Sequence, residues 1–398
     1  MSTRLDQERA WRARLNPMER YYLQHQHLLI GSVSITVTGT PESPPSAPGP
    51  LAAAPATEQP APEAPAMTPE VTKAERARHC VRVFPPGALA EAIAALAGMR
   101  DQDVRRLRRA IDRAARDDGW RSVPWADPAP VADPFADFGL EYENFRAVID
   151  HLSMQWTCAS YTLDAGESRV DPILLVGPPG IGKTRFAQEL ARRMGTRMAV
   201  YSAGSAQAAF QLCGSDAGWS NAKPGIVFEL LAQGDSAAPV LVIDEVDKIG
   251  TWARENPLNA LLDLTEPDTA RHYKDWCLQM MFDASKILVV CTANEQAALP
   301  APLLSRLEVC QVKPPTVDQR RAILNSYLGR LAATHKCPAG LALDEPSAEA
   351  ALATPDLDVR ALLRLTRAGF ASALAADSDR VVLAPPRRGA TRQRIGFI

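Results

Sequence analysis

Near the middle of the chain the sequence reads Gly177-Pro178-Pro179-Gly180-Ile181-Gly182-Lys183-Thr184, directly after the apolar run Ile173-Leu174-Leu175-Val176. This pattern is typical of a strand that enters a glycine-rich loop and then opens a helix. Glycines let backbone N–H groups curl around a phosphate, and the N-terminus of the following helix adds its positive dipole end. We expect Lys183 to reach the β- and γ-phosphate oxygens and the Thr184 hydroxyl to ligate Mg²⁺. The stretch therefore predicts a nucleoside-triphosphate site.

Two acids, Asp244 and Glu245, follow a second apolar run at 240–243. A buried strand that ends in carboxylates at the carboxyl edge of a parallel sheet brings them beside the phosphate loop. We expect Asp244 to hold Mg²⁺ through water and Glu245 to orient and polarise the attacking water. Because both acids are present, the sequence predicts hydrolysis as well as binding.

Three further polar residues are candidates for the same chemistry. Asn294 follows an apolar run, and its amide could hydrogen-bond the γ-phosphate or the attacking water. Arg306 lies 12 residues later, and a guanidinium supplied by a neighbouring subunit would stabilise charge on the γ-phosphoryl group. Arg360 begins a helical stretch and could reach back to the same nucleotide.

Strand-like and helical stretches alternate from about residue 135 onward, and after Pro314-Pro315 the pattern becomes helical only. This alternation is typical of a parallel sheet wrapped by helices. The predicted fold class is therefore α/β, with a P-loop parallel sheet flanked by helices, a small all-helical lid after it and a mostly helical extension before it.

The ordered set of these motifs resembles an AAA+ ATPase, and within that superfamily the ATPase module of Lon-type proteases, over about residues 135–376. The most similar stretches are Asn259-Ala260-Leu261-Leu262-Asp263-Leu264, Glu266-Pro267-Asp268, Leu299-Pro300-Ala301-Pro302-Leu303-Leu304-Ser305-Arg306-Leu307-Glu308-Val309 and Asp358-Val359-Arg360-Ala361-Leu362-Leu363-Arg364. The resemblance implies a Mg²⁺-dependent ATPase that forms a ring, a homo-hexamer, with ATP at each subunit interface. It further implies that Asn294 is sensor 1, Arg306 the trans-acting arginine finger and Arg360 sensor 2.

The same resemblance gives Trp219 a role. This residue lies six positions before Gly225 on a glycine-flanked stretch, and Lon-like modules carry an aromatic at that spacing in a loop facing the central pore. A large rigid aromatic can grip an unfolded polypeptide without selecting its sequence. The alternative is a tryptophan that anchors the loop to its own core.

Composition divides the chain into segments. Ten prolines lie between residues 41 and 69, which predicts an extended linker without a core. The predicted units are an N-terminal segment at 1–38, a disordered linker at 39–69, a small helical region at 70–130, an α/β ATPase domain at 131–313, a helical lid at 314–378 and a tail at 379–398.

Charge and cysteine content exclude some classes of protein. The net charge of −2 argues against a protein that coats nucleic acid or membrane by bulk electrostatics. Seven scattered cysteines without a C-x-x-C pair favour reduced thiols in the cytoplasm. The N-terminus has no apolar signal region, and no apolar run is long enough to span a bilayer, so we expect no membrane partner.

The leading functional hypothesis is a ring-forming protein remodeller or unfoldase whose first 130 residues bind a protein substrate or adaptor. Only about 20 residues follow the lid, which leaves no room for the protease domain of Lon-type enzymes, so we expect no proteolysis by this chain. In a variant of this hypothesis, a separate peptidase chain docks on the ring. One alternative is a nucleic-acid-associated motor or loader, weakly favoured by 12 basic against 8 acidic residues at 71–130. Another is a slow ATP-gated switch or scaffold.

Overall fold

The computed structural model describes residues 73–97, 101–126, 134–203, 209–216, 222–249, 257–335, 337, 340–354 and 357–384. The predictions for 1–38, for the linker at 39–69, for Trp219 and for most of the tail at 379–398 lie outside these ranges. Within them, no helix is long and apolar enough to cross a lipid bilayer.

Five parallel strands form the central sheet. In chain order they are β3 (Ile173–Val176), β4 (Met198–Ser202), β5 (Val240–Asp244), β8 (Leu288–Ala293) and β9 (Glu308–Gln311), and their order across the sheet is β4-β5-β8-β3-β9. All residues of β3 and β8 are buried, as expected for strands covered by helices on both faces. Val176 pairs with Ala293 at the ends of β3 and β8, so the carboxyl ends of the central strands meet at one edge.

Helices cover both faces of this sheet. They are α4 (Phe138–Glu141), α5 (Arg146–Ser160), α6 (Lys183–Arg193), α7 (Ala209–Cys213), α8 (Ile226–Gln233), α9 (Pro257–Thr265), α10 (Pro267–Ala270) and α11 (Ala301–Leu304). A two-stranded antiparallel hairpin, β6 (Tyr273–Asp275) and β7 (Met280–Phe282), precedes β8. The predicted parallel sheet wrapped by helices is confirmed.

The segment before the sheet contains α1 (Lys73–His79), α2 (Pro86–Ala95) and α3 (Asp101–Ala114). It also contains two short antiparallel strands, β1 (Cys80–Arg82) and β2 (Trp120–Ser122), which the helical prediction for 70–130 did not include. The Phe84 ring lies 5.5 Å from the rings of both Phe228 and Phe282, and the Arg121 guanidinium donates to the Leu231 carbonyl. This segment therefore shares one hydrophobic core with the sheet.

The C-terminal helical part contains α12 (Val317–Thr334), α13 (Glu345–Leu352) and α14 (Val359–Ala375), with a short parallel pair, β10 (Ala342–Leu343) and β11 (Arg380–Val381). Each helix begins at a polar cap, because the side chains of Thr316, Asp344 and Asp358 accept first-turn backbone N–H groups. These helices bury a second hydrophobic core of their own.

Candidate nucleotide site

The loop between β3 and α6 has the backbone that its glycines predict. Gly180 and Gly182 have φ angles of 79° and 100°, in the left-handed region that favours glycine. α6 begins at Lys183, directly after Gly182. A Cβ at Gly180 would lie 2.2 Å from Asp358 Oδ2, so the N-terminus of α14 approaches the loop closely. The loop thus leads directly into the N-terminus of α6, and the C-terminal helical part borders it.

Lys183 is the first residue of α6, and it is buried. Its Nζ donates to the carbonyl oxygens of Gly177 at 2.7 Å and Pro178 at 3.1 Å, and to Asn294 Oδ1 at 3.2 Å. Burial lowers the pKa of this ammonium group, and the neighbouring carboxylates, led by Asp244, oppose that shift. The ammonium is therefore within reach of any phosphate that enters the loop.

Thr184 and Asp244 bring together the oxygen ligands of a magnesium site. The Thr184 hydroxyl lies 3.4 Å from each carboxylate oxygen of Asp244, and Asp244 also accepts a hydrogen bond from the Thr292 hydroxyl. A hydroxyl and a carboxylate suit Mg²⁺, which keeps several water or phosphate ligands and needs few protein ones. The donor set therefore fits the metal that the sequence predicts.

Glu245 adopts an unusual backbone conformation directly after β5. Its φ is 57°, in the left-handed region, and its N–H donates to Thr292 Oγ1 at 3.1 Å. Its carboxylate accepts from Lys248 Nζ at 2.7 Å, and this hydrogen bond raises the pKa of the ammonium. A strained, non-glycine residue at a strand end is a common feature of functional sites.

Asn294 follows β8 and joins two parts of the site. Its side-chain oxygen accepts from Lys183, and its backbone N–H donates to Asp247 Oδ2 at 3.1 Å. The amide is thereby held at the edge of the sheet, beside the phosphate loop.

A cavity of about 730 Å³ is lined by Lys183, Thr184, Asp244, Glu245 and Asn294, together with residues 179–182 of the loop. Sheet-edge residues line one side of it, and side chains of α12 and α14 line the other, including Arg360. The volume is in the range of small-molecule sites, and the wall combines apolar surface with a few convergent polar groups. The cavity can hold a nucleotide with its phosphates at the loop.

Sequence reasoning missed several lining residues: Tyr142, Asn144 and Phe145 before α5, Tyr327 on α12, and Arg364 and Arg367 on α14. The two arginines follow Arg360 at helical spacing, so the 3.6-residue period of α14 was a usable signal. The aromatic residues carry no such signal, because they come from segments far apart in the chain.

Arg306 lies outside this cavity wall. Its Nε is 3.2 Å from Glu266 Oε2, and its Nη1 donates to the Pro302 carbonyl at 2.8 Å. The side chain is partly exposed. The structure thus groups Lys183, Thr184, Asp244, Glu245, Asn294 and Arg360 around one cavity and leaves Arg306 apart.

The family model described as "ATPase family associated with various cellular activities (AAA)" matches residues 173–315. The chain is 31% identical over 217 residues to Lon protease of Chloroflexus aggregans, an alignment that covers 52% of this chain and 25% of that protein. It is 30% identical over 243 residues to Lon protease 4 of Sorangium cellulosum, covering 57% of this chain and 30% of that protein. The chain thus spans less than a third of the length of these relatives.

Among solved structures, a closed-state cryo-EM reconstruction of Hsp104 with ATPγS and FITC casein matches with a TM-score of 0.51 and 16% identity. The match covers 73% of this chain and 56% of that chain, and it shows a shared fold. Residues 173–315 thus match the AAA family of ATPases over the central sheet. In sequence this region resembles the ATPase module of Lon-type proteases, as predicted.

Proposed function

We propose that this chain hydrolyses ATP with Mg²⁺ in the cavity at the sheet edge. The observation that carries the proposal is the convergence of Lys183, the Thr184–Asp244 pair and Glu245 beside one glycine-rich loop. Bound Mg²⁺ supplies positive charge that stabilises the transferring phosphoryl group. Thr184 and Asp244 would hold the metal, Lys183 would hold the β- and γ-phosphate oxygens, and Gly177, Gly180, Ile181 and Gly182 would offer backbone N–H donors.

Glu245 acts as the base that orients the attacking water, with Asn294 beside it as a hydrogen-bonding partner for water or γ-phosphate. In-line phosphoryl transfer needs a positioned nucleophile and charge stabilisation more than covalent chemistry. The hydrogen bond from the Glu245 N–H to Thr292 supports a role that depends on a fixed backbone. Arg360 contacts the nucleotide from α14 and links its state to the C-terminal helical part.

We further propose a ring, a homo-hexamer, in which Arg306 acts on the nucleotide of the neighbouring subunit. Its absence from the wall of its own cavity and its partial exposure support this role. An arginine supplied in trans makes hydrolysis depend on assembly.

The ring, on this proposal, remodels or unfolds a protein partner in the cytoplasm. Residues 1–130 select that partner or an adaptor, and Trp219 grips the polypeptide in the central pore. A separate peptidase chain is compatible with this role. The likeness to Lon-type ATPase sequences supports a protein-directed function over a nucleic-acid-directed one.

The test is the steady-state ATPase rate of the purified protein alone, with an unfolded protein and with DNA. We expect the unfolded protein to stimulate hydrolysis and Trp219→Ala to abolish the stimulation while basal hydrolysis continues. Stimulation by DNA alone would replace the proposal with a nucleic-acid motor. Slow hydrolysis that neither additive changes would favour an ATP-gated switch.

A further inference from the structure

A second, smaller cleft lies away from the nucleotide site, between α3 and the residues that lead into α8. Its volume is about 320 Å³. Three arginines of α3, Arg106, Arg109 and Arg113, line it together with Lys223. The arginines recur at spacings of three and four residues, which sets them on one face of the helix. We call these four residues and the space between them the basic cleft.

The charges in the basic cleft are only partly balanced. Arg113 Nη2 lies 3.1 Å from a carboxylate oxygen of Glu229, and Arg106 Nη2 lies 3.1 Å from Asp103 Oδ1. Within the described ranges, Arg109 and Lys223 have no ion-pair partner. Four cations therefore meet two carboxylates, and an excess of two positive charges remains.

Two arginines of the cleft also retain unused donors. The Nε atoms of Arg106 and Arg113 are buried, and no described group accepts a hydrogen bond from them. A buried donor without an acceptor carries a desolvation cost. An anionic ligand in the cleft would offset its excess of positive charge.

The shape and the wall of the cleft favour carboxylates over nucleic acid. Among the described residues, the wall contains no aromatic side chain, and its apolar part consists of Ala110 and Pro224. These residues therefore offer no surface on which bases could stack. A short concave site accepts one or two protruding side chains, whereas a nucleic-acid backbone needs a basic surface that continues over several phosphates.

We propose that the basic cleft binds an acidic segment, rich in aspartate and glutamate, of the protein on which this ATPase acts. The inference deepens the proposed function and depends on it only for the statement that the acidic segment belongs to the substrate. In the chain, Lys223 lies four residues after Trp219. The cleft is therefore close in sequence to the residue that we propose to grip the polypeptide.

The test measures binding of a fluorescein-labelled peptide of alternating glutamate and serine to the full chain by anisotropy at physiological ionic strength, without ATP. We expect Arg109→Glu and Lys223→Glu each to weaken binding at least about tenfold, because each converts an attraction into a repulsion. Arg109→Lys keeps the charge and should bind nearly as the unchanged chain does.

Arg105→Glu is the matched control. Arg105 lies on the same helix, is exposed and is not part of the cleft wall, so this variant changes the net charge equally and should leave peptide binding intact. A serine and glycine peptide measures non-specific binding, and a labelled DNA duplex measures binding of phosphates. Thermal unfolding confirms that each variant is folded.

The inference is overturned if the glutamate peptide does not bind, if Arg105→Glu weakens it as much as Arg109→Glu does, or if the DNA duplex displaces it at lower concentration. If the chain binds the peptide at the cleft but does not hydrolyse ATP, only the proposed function is contradicted. If unfolded protein stimulates hydrolysis but the peptide does not bind, only the inference about the cleft is contradicted.

Discussion

At the scale of single residues, Glu245 is the side chain that we propose as the base for hydrolysis. Its backbone is in the left-handed region, and its carboxylate is paired with Lys248 at 2.7 Å. Both partners are partly exposed, so the pair is weak and can be exchanged for a contact with water. The backbone of the proposed base is therefore fixed, but its carboxylate can leave Lys248 and contact water.

We expect Glu245→Gln to keep ATP binding and to abolish turnover, because the amide preserves shape and volume but cannot polarise water. A fluorescent ATP analogue measures binding, and phosphate release measures turnover. Lys183→Ala is the control that loses binding as well, since it removes the ammonium from the phosphate loop. Normal turnover in Glu245→Gln would assign the base to another residue.

Lys248→Ala tests the ion pair itself. Exposed ion pairs contribute little because water screens them, so freeing the carboxylate should raise kcat by only a few fold at most. KM for ATP should stay unchanged, because Lys248 is not in the cavity wall. Lys248→Arg keeps the pair and serves as the control. A decrease in kcat would instead mean that Lys248 positions Glu245 for hydrolysis.

At the scale of elements, the β6–β7 hairpin is joined to α8 by one buried carboxylate. Asp275 Oδ2 accepts from the Gly225 N–H at 2.6 Å, and Oδ1 accepts from the Leu278 N–H at 2.9 Å. Burial raises the pKa of Asp275 to about 6, although these N–H groups favour the charged form. The desolvation of the carboxylate outweighs its hydrogen bonds.

This raised pKa has a consequence for stability. The contribution of Asp275 is complete below pH 4, where the group is protonated in both states, and it decreases as pH rises through about 6. We measure the stabilisation by Asp275 as the free energy of unfolding of the unchanged chain minus that of Asp275→Asn. This stabilisation should decrease by roughly 3 kcal/mol at most over this pH range. Urea titrations at several pH values measure it. A difference that grows with pH would show that the hydrogen bonds dominate.

α14 contacts two parts of the candidate nucleotide site, the phosphate loop and the cavity wall. Its cap, Asp358, lies against the phosphate loop at Gly180, while Arg360, Arg364 and Arg367 line the cavity. A small movement of α14 therefore changes the loop and the cavity wall together, which suits a helix that reports the bound nucleotide.

At the scale of the whole molecule, the separation of Arg306 from its own cavity leads to a test of assembly. We expect Arg306→Ala and Lys183→Ala subunits to be inactive alone and to recover part of the activity when mixed. An Arg306→Ala subunit still binds ATP, and a Lys183→Ala neighbour still supplies its arginine. The ATPase rate across mixing ratios measures the recovery.

Mixing Arg306→Ala with Glu245→Gln subunits adds a second complementation, because the Glu245→Gln chain binds ATP without hydrolysing it and still carries Arg306. Mixing Arg306→Ala with itself at equal total concentration is the control. If activity never exceeds the sum of the separate chains at any ratio, Arg306 does not act across an interface.

Much of the fold and of the candidate site follows from short contiguous motifs. The β3–loop–α6 unit and the acids after β5 were predictable because the groups that we propose to hold phosphate and metal belong to single strand ends and the turns after them. The carboxyl ends of parallel strands meet at one edge, so Lys183, Asp244 and Asn294 were predictable as neighbours. The 3.6-residue period of a helix likewise extends the argument from Arg360 to Arg364.

The remaining features depend on contacts between residues far apart in the chain. Tyr142 and Tyr327 line one cavity, Arg113 pairs with Glu229 in the basic cleft, and Phe84 packs against Phe282. Local sequence encodes none of these contacts, because they form only when separate helices and strands bury their apolar faces against each other. The amino-acid pattern alone therefore specified the chemistry of the phosphate loop, whereas packing created the cavity wall, the basic cleft and the joining of residues 81–126 to the core of the sheet.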